Sequence, residues 1–233
     1  MAISNLENIL KYGLLSHNNP HRNIDISNQN VNALRTKREN IFNREIHDYV
    51  PFYFNPKNAM LYKVEKENKN KIIILALDKN IINMPNTIFS DGNASNNITN
   101  FYAGSENLSQ IDWNTNKSTT WKDDKEVKRV MMAEVLVYEK VEISLIYKII
   151  VPNSSVKNSV SEILKDRYIH ISQDRNIFFD NYHRSSYNNF SSNHQSKNYF
   201  NDVIIPRNEI DELKRKEDKE IAYYKELGME APF

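Results

Sequence analysis

The sequence predicts an α+β fold in which a central, twisted and mixed β-sheet is flanked by short helices and long loops. Three segments, residues 71–77, 134–138 and 145–151, are almost continuously apolar, which is typical of strands buried on both faces. They are scattered among short helical patterns and long polar stretches, as expected for an α+β domain. At 233 residues the chain is long enough for one sizeable domain with an appendage, which we favour over two small domains.

The N-terminal part predicts two helices separated by a loop. Residues 5–12 carry apolar side chains at helical spacing, with Asn5 as the N-cap and Gly13 as the stop. Residues 16–26 mix polar and apolar side chains and indicate an ordered loop. The charges and spacing of residues 31–42 predict a second, solvent-facing helix.

The middle of the chain contains a strand with a proline. Residues 49–54 form a β pattern, and the proline places that strand at a sheet edge or a bulge. Residues 59–64 fit either a continuing strand or the start of a helix. Residues 90–95 predict a turn-forming loop, and residues 94–102 a helical segment.

The composition changes after residue 179. Residues 183–200 are polar and poor in aliphatic side chains, which is typical of a linker or a weakly ordered segment. Residues 209–228 combine dense alternating charge with helical spacing and predict a C-terminal helix, docked along its apolar side or reserved for a partner. The sequence therefore divides into a domain over residues 1–179 and a helical extension over residues 180–233.

The composition excludes several classes of protein. A formal net charge of +1 at pH 7 means that any nucleic-acid contact must come from a local basic surface. The chain has no cysteine, which excludes disulfides and thiolate chemistry and fits a cytoplasmic location. No segment resembles a secretory leader or a membrane span, so we expect no membrane partner. The histidines are scattered without metal-ligand spacing, so we expect no metal.

Glu134 is the most informative single residue, because it stands inside an otherwise apolar strand pattern. An ionised carboxylate buried without partners costs on the order of several kcal/mol. Glu134 must therefore lie on an open face or in a site with compensating groups. Taken alone, a solvent-facing strand position is the more frequent explanation.

Five blocks appear in the order, and at about the spacing, of the DarT-type ADP-ribosyltransferases that modify DNA. They are GLLSHN (13–18), HDYVPFYFNPKNAMLY (47–62), SDGNAS (90–95), IDW (111–113) and KRVMMAEVLV (128–137). This resemblance implies an ADP-ribosyltransferase fold that binds NAD in a cleft and attaches ADP-ribose to a base of single-stranded DNA. It also implies the toxin half of a toxin–antitoxin or phage-defence system, opposed by a DarG-like macrodomain antitoxin.

The resemblance implies that Glu134 and Lys57 are catalytic. Cleavage of the nicotinamide–ribose bond develops positive charge on the ribose, which a carboxylate hydrogen-bonded to the 2′-hydroxyl stabilises. The same carboxylate could help to remove a proton from the acceptor base. Lys57 stands where the family usually carries arginine, and we expect it to contact the NAD diphosphate or the base. A loose surface lysine is the alternative.

The remaining candidates bind NAD or DNA. Ser16, His17 and Asn18 match the NAD-binding loop of the family, and Tyr53 and Tyr62 are candidates to stack on nicotinamide or to close its pocket. A loop histidine and core aromatics are the alternatives. Aromatic and basic side chains between residues 107 and 129 suit the binding of single-stranded DNA. Acidic residues in the same segment leave a solvent-exposed charged segment as the alternative. These DNA-binding candidates are Trp113, Trp121, Lys125, Lys128 and Arg129.

The sequence does not determine the acceptor of the ADP-ribose. The NAD side of the site does not encode it, so RNA or protein are alternatives to DNA, and so is a catalytically inactive module that binds single strands or NAD. Among DNA bases, residues 13–18 and 47–50 resemble the guanine-modifying branch of the family slightly more than the thymine-modifying branch.

Overall fold

The computed structural model describes residues 1–20, 35–67, 71–121 and 123–179. Over these residues strands and helices follow one another irregularly, which confirms the predicted α+β class. The strands are β1 (Leu14–Leu15), β2 (Tyr49–Tyr53), β3 (Ile74–Leu77), β4 (Ile88–Ser90), β5 (Phe101–Tyr102), β6 (Glu134–Tyr138), β7 (Lys140–Val141), β8 (Ile146–Val151) and β9 (His170–Gln173). The helices are α1 (Leu6–Tyr12), α2 (Ala59–Glu67), α3 (Trp113–Asn116), α4 (Lys125–Val130) and α5 (Ser154–Leu164).

The strands of the described residues form three sheets instead of the one central sheet that was predicted. An antiparallel sheet has the order β2–β6–β4–β5, and β1 pairs with β7. The third sheet, β3–β8–β9, is mixed, because β8 pairs antiparallel with β3 and parallel with β9. The apolar segments around β6 and β8 therefore build two sheets with separate cores, which a pattern of apolar runs does not distinguish from one.

Helices α1 and α5 cover the mixed sheet. Leu6 and Leu10 of α1 pack with Val160 of α5 and Ile149 of β8 in one buried cluster. Helix α1 ends at Gly13 as predicted, since its φ is +79° and an added Cβ would lie 2.7 Å from the carbonyl oxygen of Val141. Asn5 occupies the N-cap position, although its side chain makes no cap hydrogen bond.

The proline-containing strand lies at a sheet edge, as predicted. Strand β2 pairs with β6 on one side, and Pro51 in its middle is exposed. Because proline has no N–H to donate, an edge is where a strand tolerates it. The ambiguity over residues 59–64 resolves to a helix, since they fall in α2.

Two predicted helices are wrong where the structure describes them. Residues 94–102 form turns followed by β5, because Asn93 and Asn96 accept hydrogen bonds from the backbone N–H groups of residues 95 and 98. Such bonds compete with helical ones. Residues 35–42 form bends around the carboxylate of Glu39, and residues 31–34 lie outside the described residues. The linker and helix expected within residues 180–233 also lie outside them.

Candidate active site

Glu134 begins β6 and is fully buried, with an exposed fraction of 0%. Its cross-strand neighbour is Tyr53, the last residue of β2. The backbone N–H of Glu134 donates to Oγ of Ser90, 3.1 Å away, at the end of β4. Three strands thus fix the position of this carboxylate, and the solvent-facing alternative is wrong.

The Glu134 carboxylate is compensated by a residue that the sequence did not indicate. Nη2 of Arg35 donates to both oxygens, at 2.8 Å and 2.6 Å, and the backbone N–H of Ala94 donates to Oε1 at 3.2 Å. Burial acts to lower the pKa of Arg35, but the charge and hydrogen bonds of Glu134 outweigh it and the pKa is raised. A buried, charge-assisted pair therefore occupies the end of β6.

Tyr53 lies beside this ion pair. Burial, followed by the negative charge of Glu134, raises the pKa of the Tyr53 phenol, and Arg35 offsets part of the effect. The phenol is therefore neutral at physiological pH and keeps its proton as a hydrogen-bond donor. The structure thus brings two of the predicted site residues together.

The segment that supplies Arg35, residues 35–46, is organised by the buried carboxylate of Glu39. This carboxylate accepts hydrogen bonds from the backbone N–H groups of Ile41, Phe42 and Arg44 at 2.6–2.9 Å, and from the Tyr49 hydroxyl at 3.0 Å. Ionised oxygens that accept several N–H groups form strong hydrogen bonds. We call residues 35–46 the Glu39 loop.

The predicted NAD-binding loop lies at the other end of the β2–β6 pair. The backbone N–H of Ser16 donates to the carbonyl of Glu139, just after β6, and the His17 ring lies 4.1 Å from that of His47, just before β2. The Asn18 amide donates to Asp48 at 2.8 Å. Glu139, to which the loop is bonded, lies five residues after Glu134, so at about 3.3 Å per residue the strand separates the loop from Glu134 by roughly 16 Å.

The structure places the Lys57 side chain against residues 176–179. Its Nζ donates to the carbonyl oxygen of Asn176 at 2.7 Å and lies 5.2 Å from the centre of the Phe179 ring. Tyr62 packs edge-on against Phe179 and Trp121, with centroid distances of 5.4 Å and 5.8 Å. Tyr62 and Trp121, predicted for different ligands, thus share one aromatic cluster next to Lys57.

The other DNA-binding candidates differ in their surroundings. Lys125 and Lys128 are exposed on α4. Trp113 packs edge-on against Phe54 at 5.3 Å and donates to a backbone carbonyl, so its ring belongs largely to the core. Arg129 is about 10% exposed and forms ion pairs with Asp91 and Glu126 at 2.8 Å and 2.7 Å. Its guanidinium therefore ties α4 to the loop after β4.

Comparison with known proteins identifies the family. The family model for DarT, described as ssDNA thymidine ADP-ribosyltransferase, matches residues 1–183. This chain belongs to the DarT family. A DNA ADP-ribosyl transferase of Thermus sp. (strain 2.9) is 30% identical over 175 residues, which cover 70% of this chain and 84% of the relative. A fusion of DNA ADP-ribosyl transferase and DNA ADP-ribosyl glycohydrolase from Thermosipho africanus is 29% identical over 185 residues, covering 76% of this chain and 47% of the fusion.

Solved structures of a DarT protein share the fold. Thermus sp. 2.9 DarT in complex with ADP-ribosylated ssDNA matches with a TM-score of 0.70 at 27% identity, covering 77% of this chain and 93% of the other. The same protein in complex with NAD+ matches with a TM-score of 0.68 at 28% identity, over 77% and 94% of the two chains. The ADP-ribosyltransferase fold expected from the DarT blocks is therefore confirmed.

In the described ranges, no three histidine, aspartate or glutamate side chains are grouped so that they could hold a metal ion. No helix among those residues has the length and apolarity needed to cross a membrane.

Proposed function

We propose that the Glu134 site cleaves the nicotinamide–ribose bond of NAD and transfers ADP-ribose to a thymine base of single-stranded DNA. The chain is an NAD-dependent DNA ADP-ribosyltransferase by family membership, and its DarT neighbours are solved with NAD+ and with ADP-ribosylated ssDNA. The observation that carries the proposal for the site is the fully buried carboxylate of Glu134 at a strand end.

Glu134 would act on the ribose from which nicotinamide leaves. In a buried site, a carboxylate that accepts a hydrogen bond from the ribose 2′-hydroxyl stabilises positive charge more strongly than it would in water. Tyr53, with its neutral phenol, would form a wall of the nicotinamide pocket beside Glu134. The residues present fit NAD, which has a positively charged nicotinamide ring and a negatively charged diphosphate: an anionic group lies at Glu134 and cationic groups lie nearby at Arg35 and Lys37.

The NAD-binding loop would hold the other end of the dinucleotide. Ser16, His17 and Asn18 lie at the far end of the β2–β6 pair, so a dinucleotide that contacts both His17 and Glu134 would run along this strand pair. Contacts of Lys57 and Tyr62 with NAD remain predictions, and both side chains border the same aromatic cluster.

Thymine is the acceptor that we propose, because the matching family model is described for thymidine. The slight preference for guanine drawn from residues 13–18 and 47–50 gains no support from that description. RNA or protein acceptors are outcomes of the test below.

The decisive experiment combines labelled NAD with separate pools of single-stranded DNA, RNA and protein, followed by mass spectrometry of the nucleosides. We expect ADP-ribose to appear on thymidine in the DNA pool alone. Label on deoxyguanosine would correct the base, and label in protein or RNA alone would contradict the DNA acceptor.

The two basic residues at the end of α4 should respond differently to substitution. Lys128→Ala is expected to weaken single-stranded DNA binding and to reduce the slope of log K against log salt by about 0.7, the value for one lost phosphate contact. Arg129→Ala should instead lower the melting temperature, because the guanidinium joins Asp91 to Glu126. Fluorescence anisotropy at several salt concentrations and thermal denaturation measure the two effects. An Arg129→Ala variant with an unchanged melting temperature and a reduced slope would place Arg129 on DNA.

The biological setting follows from the family. The chain fits the toxin of a toxin–antitoxin pair, with a DarG-like macrodomain protein as its partner, in line with the transferase–glycohydrolase fusion among its relatives. We propose a cytoplasmic location, because a chain without cysteine has no requirement for an oxidising compartment.

A further inference from the structure

We propose that Arg129 is a positioning residue of the transfer site: near the end of α4, it holds the loop of residues 90–95, which in turn orients the Glu134 carboxylate. This inference rests on the proposed function of Glu134. It gives Arg129 a role inside the protein in place of the DNA contact that the composition of residues 107–129 predicted. We call residues 90–95 the 90–95 loop.

The first support is the way in which the 90–95 loop surrounds Glu134. Oγ of Ser90 accepts a hydrogen bond from the backbone N–H of Glu134 at 3.1 Å and donates to the carbonyl oxygen of Gly92 at 2.6 Å. Two residues later, the backbone N–H of Ala94 donates to Oε1 of Glu134 at 3.2 Å. The backbone and the carboxylate of Glu134 are thus both bonded to one loop, so a shift of this loop moves the reacting oxygen.

The second support is the set of contacts between Arg129 and the same loop. Nη1 of Arg129 pairs with Oδ1 of Asp91 at 2.8 Å, and the carbonyl oxygen of Arg129 accepts from the backbone N–H of Asn93 at 2.8 Å. Nη1 also donates to the hydroxyl of Thr99 at 3.3 Å, and this hydroxyl donates to the carbonyl of Asn93 at 2.8 Å. Arg129 therefore binds the loop on both sides of Gly92, with its main chain and with its side chain.

The third support is the close fit between Arg129 and Gly92. A Cβ added at Gly92 would overlap Nη1 of Arg129 and would lie 3.0 Å from its Cγ. The Arg129 side chain thus lies directly on the backbone of the loop, at a distance that the absence of a Cβ permits. The same side chain is only 10% exposed, so its guanidinium is largely withdrawn from the surface on which DNA would bind.

The two carboxylates that pair with Arg129 belong to different parts of the molecule. Asp91 lies in the 90–95 loop and is 13% exposed, whereas Glu126 lies one turn earlier in α4 and is 59% exposed. An exposed pair within one helix contributes little to stability. The pair with Asp91, by contrast, crosses from α4 to the loop. Only this second pair can hold the loop in place, which provides a matched comparison for the test.

The expected consequence concerns the chemical step. If the guanidinium of Arg129 leaves Asp91, the N–H of Ala94 loses its fixed position, and the Glu134 carboxylate can turn away from the orientation that the ribose requires. A displacement of about 1 Å at a reacting group can lower the rate on the order of 10²-fold. Loss of Arg129 should therefore lower kcat and leave KM for NAD nearly unchanged.

The test compares Arg129→Gln, Asp91→Asn and Glu126→Gln with the wild type in the NAD-dependent DNA transfer assay, at a temperature where all four proteins are folded. We expect Arg129→Gln and Asp91→Asn to lower kcat about 10- to 100-fold, with KM for NAD within about threefold of the wild type. Glu126→Gln is the matched control, because it removes the other ion pair of the same guanidinium, and it should keep kcat within about twofold. Arg129→Gln should leave the salt dependence of single-stranded DNA binding unchanged, since no phosphate contact is lost.

Gly92→Ala is an independent variant that removes no charge. Its methyl group would displace the guanidinium of Arg129, so kcat should fall as it does in Arg129→Gln. In an Arg129→Ala background, where the space is open, Gly92→Ala should lower kcat by less than about twofold further. This non-additivity is the behaviour expected of two residues that act through one contact.

Two results would overturn the inference while leaving the proposed function intact. One is an Arg129→Gln variant with a reduced salt slope and an unchanged kcat at saturating DNA, which would place Arg129 on DNA. The other is an equal loss of kcat in Asp91→Asn and Glu126→Gln. A wild type without any transfer would instead overturn the proposed function. If Arg129→Gln does not fold, Asp91→Asn and Gly92→Ala provide the same comparison with Glu126→Gln.

Discussion

Replacing Glu134 with glutamine is expected to lower the rate of ADP-ribose transfer about 10²- to 10³-fold, the loss typical of a preorganised electrostatic contact. Glutamine keeps the shape of the side chain and one oxygen for Arg35 and Ala94, but it has no negative charge to stabilise the ribose. The measurement is the rate of thymidine modification with NAD saturating. Because the chemical step is affected, kcat should fall more than KM changes.

Two controls define this prediction. Glu142→Gln removes an exposed carboxylate that pairs with Lys140, and it should leave transfer unchanged. In Glu134→Gln the guanidinium of Arg35 stays buried without an ionic partner, which is destabilising. The Arg35→Gln/Glu134→Gln double variant removes this guanidinium, so it should melt at a higher temperature than Glu134→Gln and stay inactive. Equal DNA and NAD binding by an inert wild type and an inert Glu134→Gln variant would instead support the inactive binding module.

Replacing Glu39 with alanine is expected to destabilise the protein by about 3–5 kcal/mol, because three backbone N–H groups and the Tyr49 hydroxyl lose their acceptor. For a domain of this size, that corresponds to a fall in melting temperature of roughly 10 °C. Transfer should fall as well, since the Glu39 loop positions Arg35. Thermal denaturation and the transfer assay at a temperature where the variant is folded separate the two effects.

Tyr49→Phe is the graded control for Glu39→Ala. It removes one hydrogen bond to Glu39 and keeps the ring in the core, so it should cost only about 1 kcal/mol. If both variants melt at the same temperature, the backbone contacts of Glu39 contribute nothing measurable and its role in organising the loop is wrong.

The sequence was sufficient to find Glu134 but not its counter-ion. A carboxylate in an apolar strand pattern is visible from local composition, and the neighbouring DarT blocks give it a role. Arg35 stands in a segment whose charges resemble a solvent-facing helix, and its partner is 99 residues away. Local sequence patterns cannot reveal such a contact, because the conformation of the loop depends on tertiary hydrogen bonds such as those of Glu39.

The same limit applies to the surroundings of the other predicted site residues, whose roles stay predictions. Trp113 and Arg129 are residue types that are frequent on nucleic-acid-binding surfaces. In the structure, however, Trp113 packs against Phe54 and Arg129 pairs with Asp91. Helix α1 with Gly13, by contrast, follows from signals within a few residues and was predicted correctly. Sequence patterns thus identify elements and residue types, whereas burial and pairing depend on distant segments.

Pro51 bears on how this molecule avoids self-association. The unpaired N–H and C=O groups of an edge strand can pair with a strand of a neighbouring molecule, and such pairing leads to aggregation. Because the exposed Pro51 interrupts the row of donors on β2, a neighbour cannot add a full ladder there. The strand that carries Tyr53 is thereby kept from recruitment into intermolecular sheets.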